Sequence, residues 1–200
     1  MDKPSQNALL TACQKGDQDA FKKLFEQYHK RVLHLAFRLC SNIQDAQDIT
    51  QDVFLKVYKE ISNFQAGSNF FTWLYRITVN LYLDKSRKRK RREKYQAKAY
   101  FDSSKDVLSK TVLEQRSNAL NQQILQEELQ HLLQLALNQI KPKLRTVIVL
   151  RDIEGLSYGE VAQIVGCSEG TISSRLNRGR KKLKHILSQM GIDETYFEES

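Results

Sequence analysis

The side chains best suited to specific chemistry lie close together in the stretch TISSRLNRGRK, where Thr171, Ser173, Ser174, Arg175, Asn177, Arg178 and Lys181 alternate with Ile172 and Leu176. Hydroxyl, amide and guanidinium groups at that density can hydrogen-bond to base edges, and the cations can neutralise phosphates. They do not make a covalent catalyst. The sequence has no GxxxxGK[ST] phosphate loop, no HExxH and no GxSxG, and His29, His34, His131 and His185 stand singly on helical stretches. Cys13, Cys40 and Cys167 are far apart, with no CxxC pair and no Cys/His spacing suited to zinc. The expected chemistry is recognition, with no catalytic group, no cofactor and no metal.

These residues need a scaffold, and the flanking residues supply one. Ser157 and Glu160 form a capping-box pattern that starts a helix carrying Val161, Ile164 and Val165 on one face. Gly166 ends it, Ser168 caps a second helix, and Ile172, Leu176 and Leu183 point inward from that helix. Two short helices around a glycine corner, the second basic and amide-rich, are read as a DNA-binding helix-turn-helix, the alternative being a helical hairpin whose lysines and arginines keep it soluble.

A second group is acidic. Asp45, Asp48 and Asp52 recur at i, i+3 and i+7 in NIQDAQDITQDVFLKVYKEI, with Gln51, Leu55 and Lys56 beside them. Ile43, Ala46, Ile49, Val53, Val57 and Ile61 form the inward face of that helix, and Ser41 with Gln44 is read as its capping-box start. The acids are either a solvated face favoured by the helix dipole or a docking face for a basic partner helix. A third group follows the loop NFQAGSN. Phe70, Phe71, Trp73, Tyr75 and Tyr82 crowd a segment that turns sharply basic from Lys85 onward. Leu74, Ile77, Leu81 and Trp73 give it a core face, and Arg76, Asn80, Asp84, Arg87 and Arg91 fall on another stripe. Aromatic side chains beside a basic track suit a single strand, whose bases stack while its phosphates are neutralised.

The chain has 200 residues, a formal charge of +9 and only 2 Pro and 8 Gly. So few turn-formers leave little room for a many-stranded fold, and an all-α protein is expected. The positive charge favours a polyanionic partner, and no apolar run approaches the roughly 20 residues that span a bilayer. The N-terminus lacks the apolar core of a secretory signal, and unpaired cysteines suit a reducing cytoplasm. Ahead of the acidic helix, a short helix over Ser5 to Lys15 and a long one capped by Asp17 are read from caps and periodicity. From about Gln96 to Gln115 the periodicity fades into a flexible linker, and it resumes near Ser117 in a leucine- and glutamine-rich helix that ends before Pro142.

In this order and spacing, YHKRVLHLA, DAQDITQDVFLKVYKEI, FFTWLYRITVNLYLDKSRKRKR and LRTVIVLRDIEGLSYGEVAQIVGCSEGTISSRLNRGRKKL resemble the extracytoplasmic-function group (group IV) of the sigma-70 family of bacterial RNA polymerase sigma factors. The resemblance implies two small helical domains. One is region 2-like over 1–95, the other region 4-like over 117–190, with a linker over 96–116 and an acidic tail over 191–200. It implies that Asp45, Asp48, Gln51, Asp52, Phe54 and Leu55 dock on the coiled coil of the beta-prime subunit of RNA polymerase core. It implies that Trp73, Arg76, Asn80, Asp84, Arg87 and Arg91 capture the minus-ten strand as the duplex opens and a base is flipped out. The minus-thirty-five element falls to Thr171, Ser173, Ser174, Arg175, Asn177, Arg178 and Lys181, and the resemblance implies that Ser173, Ser174, Asn177 and Arg178 reach base edges while Arg175, Arg180 and Lys181 hold phosphates. An anti-sigma factor is a further implied partner, alongside RNA polymerase core and promoter DNA, with no insertion into a membrane. Two other functions remain open on residues alone: a helix-turn-helix regulator that binds duplex DNA by itself, and a single-strand or RNA binder built on the basic run.

Overall fold

The computed structural model describes residues 6–65, 69–99 and 120–192. Among these the chain forms eight α-helices: α1 (Gln6–Gln14), α2 (Gln18–Cys40), α3 (Ile43–Glu60), α4 (Phe70–Ala99), α5 (Leu120–Asn138), α6 (Pro142–Ile148), α7 (Tyr158–Val165) and α8 (Glu169–Gln189). A 3₁₀ turn (Ile61–Asn63) follows α3, and a π turn (Val149–Ile153) follows α6. Most of the linker expected over 96–116 lies outside the described residues, as does the tail from 193. Residues 96–99, expected in that linker, continue α4 instead.

α2 carries Leu24, Tyr28, Val32, Leu35, Ala36 and Leu39 as a stripe wide enough to meet several neighbours, and it packs on α1, α3 and α4. Each fully buried leucine contributes roughly 1.5–3 kcal/mol by leaving water. Asp17 caps α2 by accepting from the Ala20 amide at 3.0 Å. Its far end corrects the sequence reading. Ser41 does not start α3; it ends α2 in the left-handed conformation (φ 57°), and its amide donates to Phe37 O at 2.7 Å. Asn42 caps α3 instead, accepting from the Asp45 amide at 2.9 Å. Two capping-competent residues stand side by side, and the need to terminate α2 consumes the first. Ile43, expected inward, is 49% exposed, because it begins α3 ahead of the turn that packs.

α4 is buried on two faces. Leu74, Ile77 and Thr78 make one stripe, and Tyr75, Val79 and Tyr82, at i, i+4 and i+7, make a second. Its two main neighbours are α3 and α7, so it lies between the two halves of the chain. Thr50 and Thr78 are buried as well, and each satisfies its hydroxyl on the carbonyl four residues back, at 2.7 and 2.9 Å. In the second half α6 and α8 pack most intimately, with Gly179 buried where α8 meets Ile148. The buried apolar residues of both halves form one contiguous cluster.

Candidate functional site: three polar faces

The C-terminal face is built as its caps dictate. Ser157 accepts from the Glu160 amide at 3.2 Å, while the Glu160 carboxylate accepts from the Ser157 amide at 2.8 Å and from its hydroxyl at 2.7 Å. These bonds hold the Glu160 carboxyl below the usual carboxylate range. Gly166 turns the corner at φ 71°, with the Cys167 amide donating to Ala162 O at 3.1 Å in a Schellman closure. Ser168 caps α8, and Ile172 and Leu176 are buried beneath it. Ser173, Ser174, Asn177, Arg178 and Lys181 are left exposed. The other expected contacts are partly spoken for. Thr171 donates its amide to Ser168 Oγ at 3.3 Å as part of the cap, and Arg175 is half-buried with Nη1 at 3.5 Å from Cys167 Sγ. Arg180, read as a phosphate contact, instead forks onto Asp152, Nε to Oδ2 at 3.0 Å and Nη2 to Oδ1 at 2.5 Å. That pairing raises its pKa and leaves Arg180 bracing α8 against the π turn.

The acidic face lies on α3, and it is not simply solvated. Lys85 of α4 reaches across to Asp45 Oδ1 at 3.0 Å and Asp48 Oδ2 at 3.1 Å. Partial burial works against the Lys85 ammonium, but the bonds and charges of the two aspartates outweigh it and raise its pKa. Gln51, Asp52 and Leu55 are exposed. Phe54 is not on this stripe, being 5% exposed with its ring edge-on to Phe25 at 4.7 Å. The physical reason is its position one residue before Leu55, which turns it toward α2. Phe54 forms the floor of a groove of about 440 Å³ between α2 and α3, walled by Phe25, His29, Gln51, Leu55 and Tyr58.

On α4, Trp73 is half-buried in an aromatic cluster with Phe64 (5.1 Å) and Phe70 (5.7 Å), so packing orients it before any ligand arrives. Asn80, Arg87 and Arg91 are exposed, and Asp84 pairs with Arg87 one turn on. Arg76 is engaged elsewhere: its Nε and Nη2 donate to Gln163 O of α7 at 3.0 and 2.5 Å. Residues 66–68 of the loop before α4 lie outside the described residues.

Comparison with known proteins decides the family. Residues 24–92 match the model for sigma-70 region 2, and residues 130–183 match that for sigma-70 region 4. The chain is 38% identical to the ECF RNA polymerase sigma factor SigE of Mycolicibacterium smegmatis over 94% of this chain and 70% of that protein. It is 34% identical to the ECF RNA polymerase sigma factor SigW of Bacillus subtilis over 88% and 93% of the two chains. The chain belongs to the extracytoplasmic-function sigma factors. Among solved structures it is similar to the sigma factor RpoE of Bartonella quintana, crystallised with the anti-sigma factor NepR, with 29% identity, a TM-score of 0.61 and coverage of 84% and 96%. A sigma factor is the subunit through which RNA polymerase starts transcription at chosen promoters, and a regulator acting without polymerase is not the reading these matches favour.

Sequence reasoning missed how this sigma factor joins its halves. Glu154 accepts from Arg38 Nη1 at 2.5 Å and from the Tyr75 hydroxyl at 2.8 Å. Burial, together with the Glu154 charge and hydrogen bond, raises the Tyr75 pKa well above the usual phenol value. Arg145, 3% exposed, donates to Leu39 O at 2.6 Å and also meets Asn138 and Ile140 carbonyls. Gln134 donates to Arg38 O at 3.0 Å and Ser41 Oγ at 2.7 Å. A signal existed: Tyr75, Val79 and Tyr82 give α4 a second apolar stripe, which requires a second packing partner.

Proposed function

We propose that the three faces divide the work of promoter-directed initiation. The exposed acids of α3 with Gln51 and Leu55 dock the beta-prime coiled coil of RNA polymerase, with Phe54 supporting the groove from below. Trp73, Arg76, Asn80, Asp84, Arg87 and Arg91 on α4 take the minus-ten strand. The outward face of α8, from Thr171 to Lys181, reads the minus-thirty-five duplex. The halves correspond to a region 2-like domain over 1–95 and a region 4-like domain over 117–190. An anti-sigma factor is the expected regulatory partner, the cytoplasm the expected compartment, and the chemistry of RNA synthesis belongs to the polymerase.

The observation carrying this reading is the α8 face. Ile172 and Leu176 are buried, which leaves Ser173, Ser174, Asn177 and Arg178 together in solvent, where Arg178 Nε donates to Ser174 O at 3.3 Å. Two moderate DNA contacts on one chain gain affinity through effective concentration, so both promoter elements are needed at fixed spacing. The test mixes the purified chain with core polymerase and a two-element promoter. Promoter-directed transcripts are expected, and they should vanish with Asp48→Arg combined with Asp52→Arg, while the helical circular dichroism stays the same. A double variant that still co-purifies with core removes α3 from the docking role.

A further inference from the structure

The bonds between the halves are reciprocal. Arg76 of α4 completes the C-terminal turn of α7 through Gln163 O, and Arg145 of α6 completes the C-terminal turn of α2 through Leu39 O. Helix C-termini carry unpaired carbonyls and partial negative charge, so each half supplies a cation to a terminus of the other. Between these two points sits Glu154, with its side chain 14% exposed and both carboxylate oxygens committed to the first half, on Arg38 and Tyr75.

We propose that Glu154 is the catch of a closed resting form, in which the second half withholds Arg76 of the strand-binding helix from DNA. This rests on the assignment of α4 to the minus-ten strand. The asymmetry of the clasp carries the inference. Arg76 is exposed and can exchange a carbonyl for a phosphate, a charged and therefore stronger acceptor, so DNA compensates its release. Glu154 has no such exchange, because phosphates repel a carboxylate and its two bonds return only to water. Glu154 therefore sets the cost of opening, and Arg76 supplies part of the return. Ser173, Asn177 and Lys181 of α8 are exposed, so the closed chain keeps duplex recognition while strand capture waits.

Glu154→Gln in the full chain tests this, because it keeps the shape and removes the charge. The expected result is a larger radius of gyration of the free chain in small-angle X-ray scattering. Its affinity for a single-stranded minus-ten oligonucleotide, taken from a start site mapped with the holoenzyme, should rise about ten-fold. Affinity for the duplex minus-thirty-five element should be unchanged. Exchanging partners, Arg38→Glu with Glu154→Arg, should move both readouts back toward the parent, which general loss of folding would not do. Tyr75→Phe, which deletes one hydroxyl, gives the same direction of change should Glu154→Gln fail to fold. Unchanged radius and unchanged strand affinity overturn the catch. A larger radius with no gain in strand affinity shows that the clasp opens but overturns the assignment of α4, and with it the claim that closure withholds strand binding.

Discussion

The two halves handle their polar side chains in opposite ways. In the first half, several residues expected to meet a partner already have one inside the molecule: Asp45 and Asp48 on Lys85, Asp84 on Arg87, Trp73 in its aromatic cluster and Arg76 on Gln163. In the second half α8 gives Arg180 and Thr171 to internal support and leaves its outward face open. A duplex groove accepts a preformed helix, so a rigid, open face suits it. A strand that must first leave its duplex is a costlier ligand, and a surface that exchanges internal bonds for DNA bonds binds it only when the duplex has begun to open.

The comparison is broken most decisively from the core. Leu35→Ala in α2 and Leu176→Ala in α8 should each cost about 2–5 kcal/mol, since both side chains are essentially inaccessible. Because the buried residues of the halves are contiguous, either change is expected to shift one shared thermal transition; two transitions moving independently would mean that the halves fold as separate units. A smaller effect sharpens the DNA side. Arg178→Ala should lose about 1–3 kcal/mol of discrimination at one base pair of the minus-thirty-five element with other positions unaffected, read by competition binding. An unchanged base preference would assign Arg178 to phosphate.

Next comes the capping box. Ser157→Ala should cost about 1 kcal/mol in a denaturant titration. Because the Glu160 pKa is lowered on folding, its contribution is present above the unfolded glutamate value of about 4.3 and is lost as pH falls through the folded value. The parent should therefore lose this increment in acid, and Ser157→Ala should show a flatter profile there. The smallest effect is expected from Lys85→Ala. Its ion pairs with Asp45 and Asp48 are exposed enough for solvent screening to leave only a few tenths of a kcal/mol. The variant should nevertheless change the salt dependence of core binding, since it uncovers two acids on the face proposed to dock core.

Most of the helices and the outward face of α8 were legible in the sequence, because caps, glycine corners and 3.6-residue periodicity are local and each has a physical cause. Ser157, Glu160, Gly166 and Ser168 behave as their types and spacing require. The failures have physical causes too. Ser41 and Asn42 compete for one boundary, and only the end of α2 decides between them. Phe54 and Leu55 are neighbours in sequence, and a rotation of about 100° on the helix separates a groove floor from an exposed wall. The clasp was illegible because Arg38 and Glu154 are 116 residues apart and each looks like an ordinary surface charge in its own stretch. Arg145 gave more warning, as an arginine beside the apolar run of Val147, Ile148, Val149 and Leu150.

The π turn over Val149–Ile153 has a consequence for the length of the chain at this point. The Glu154 amide reaches back to Val149 O at 2.9 Å, so the segment holds one residue more than an α-helical turn would. Removing one residue there would let the helix close as ordinary α without breaking its hydrogen-bond ladder. It would also swing Asp152 and Glu154 about 100° around the axis, away from Arg180 and Arg38. A single-codon deletion in this turn would therefore be tolerated by the backbone and felt by both arginines at once.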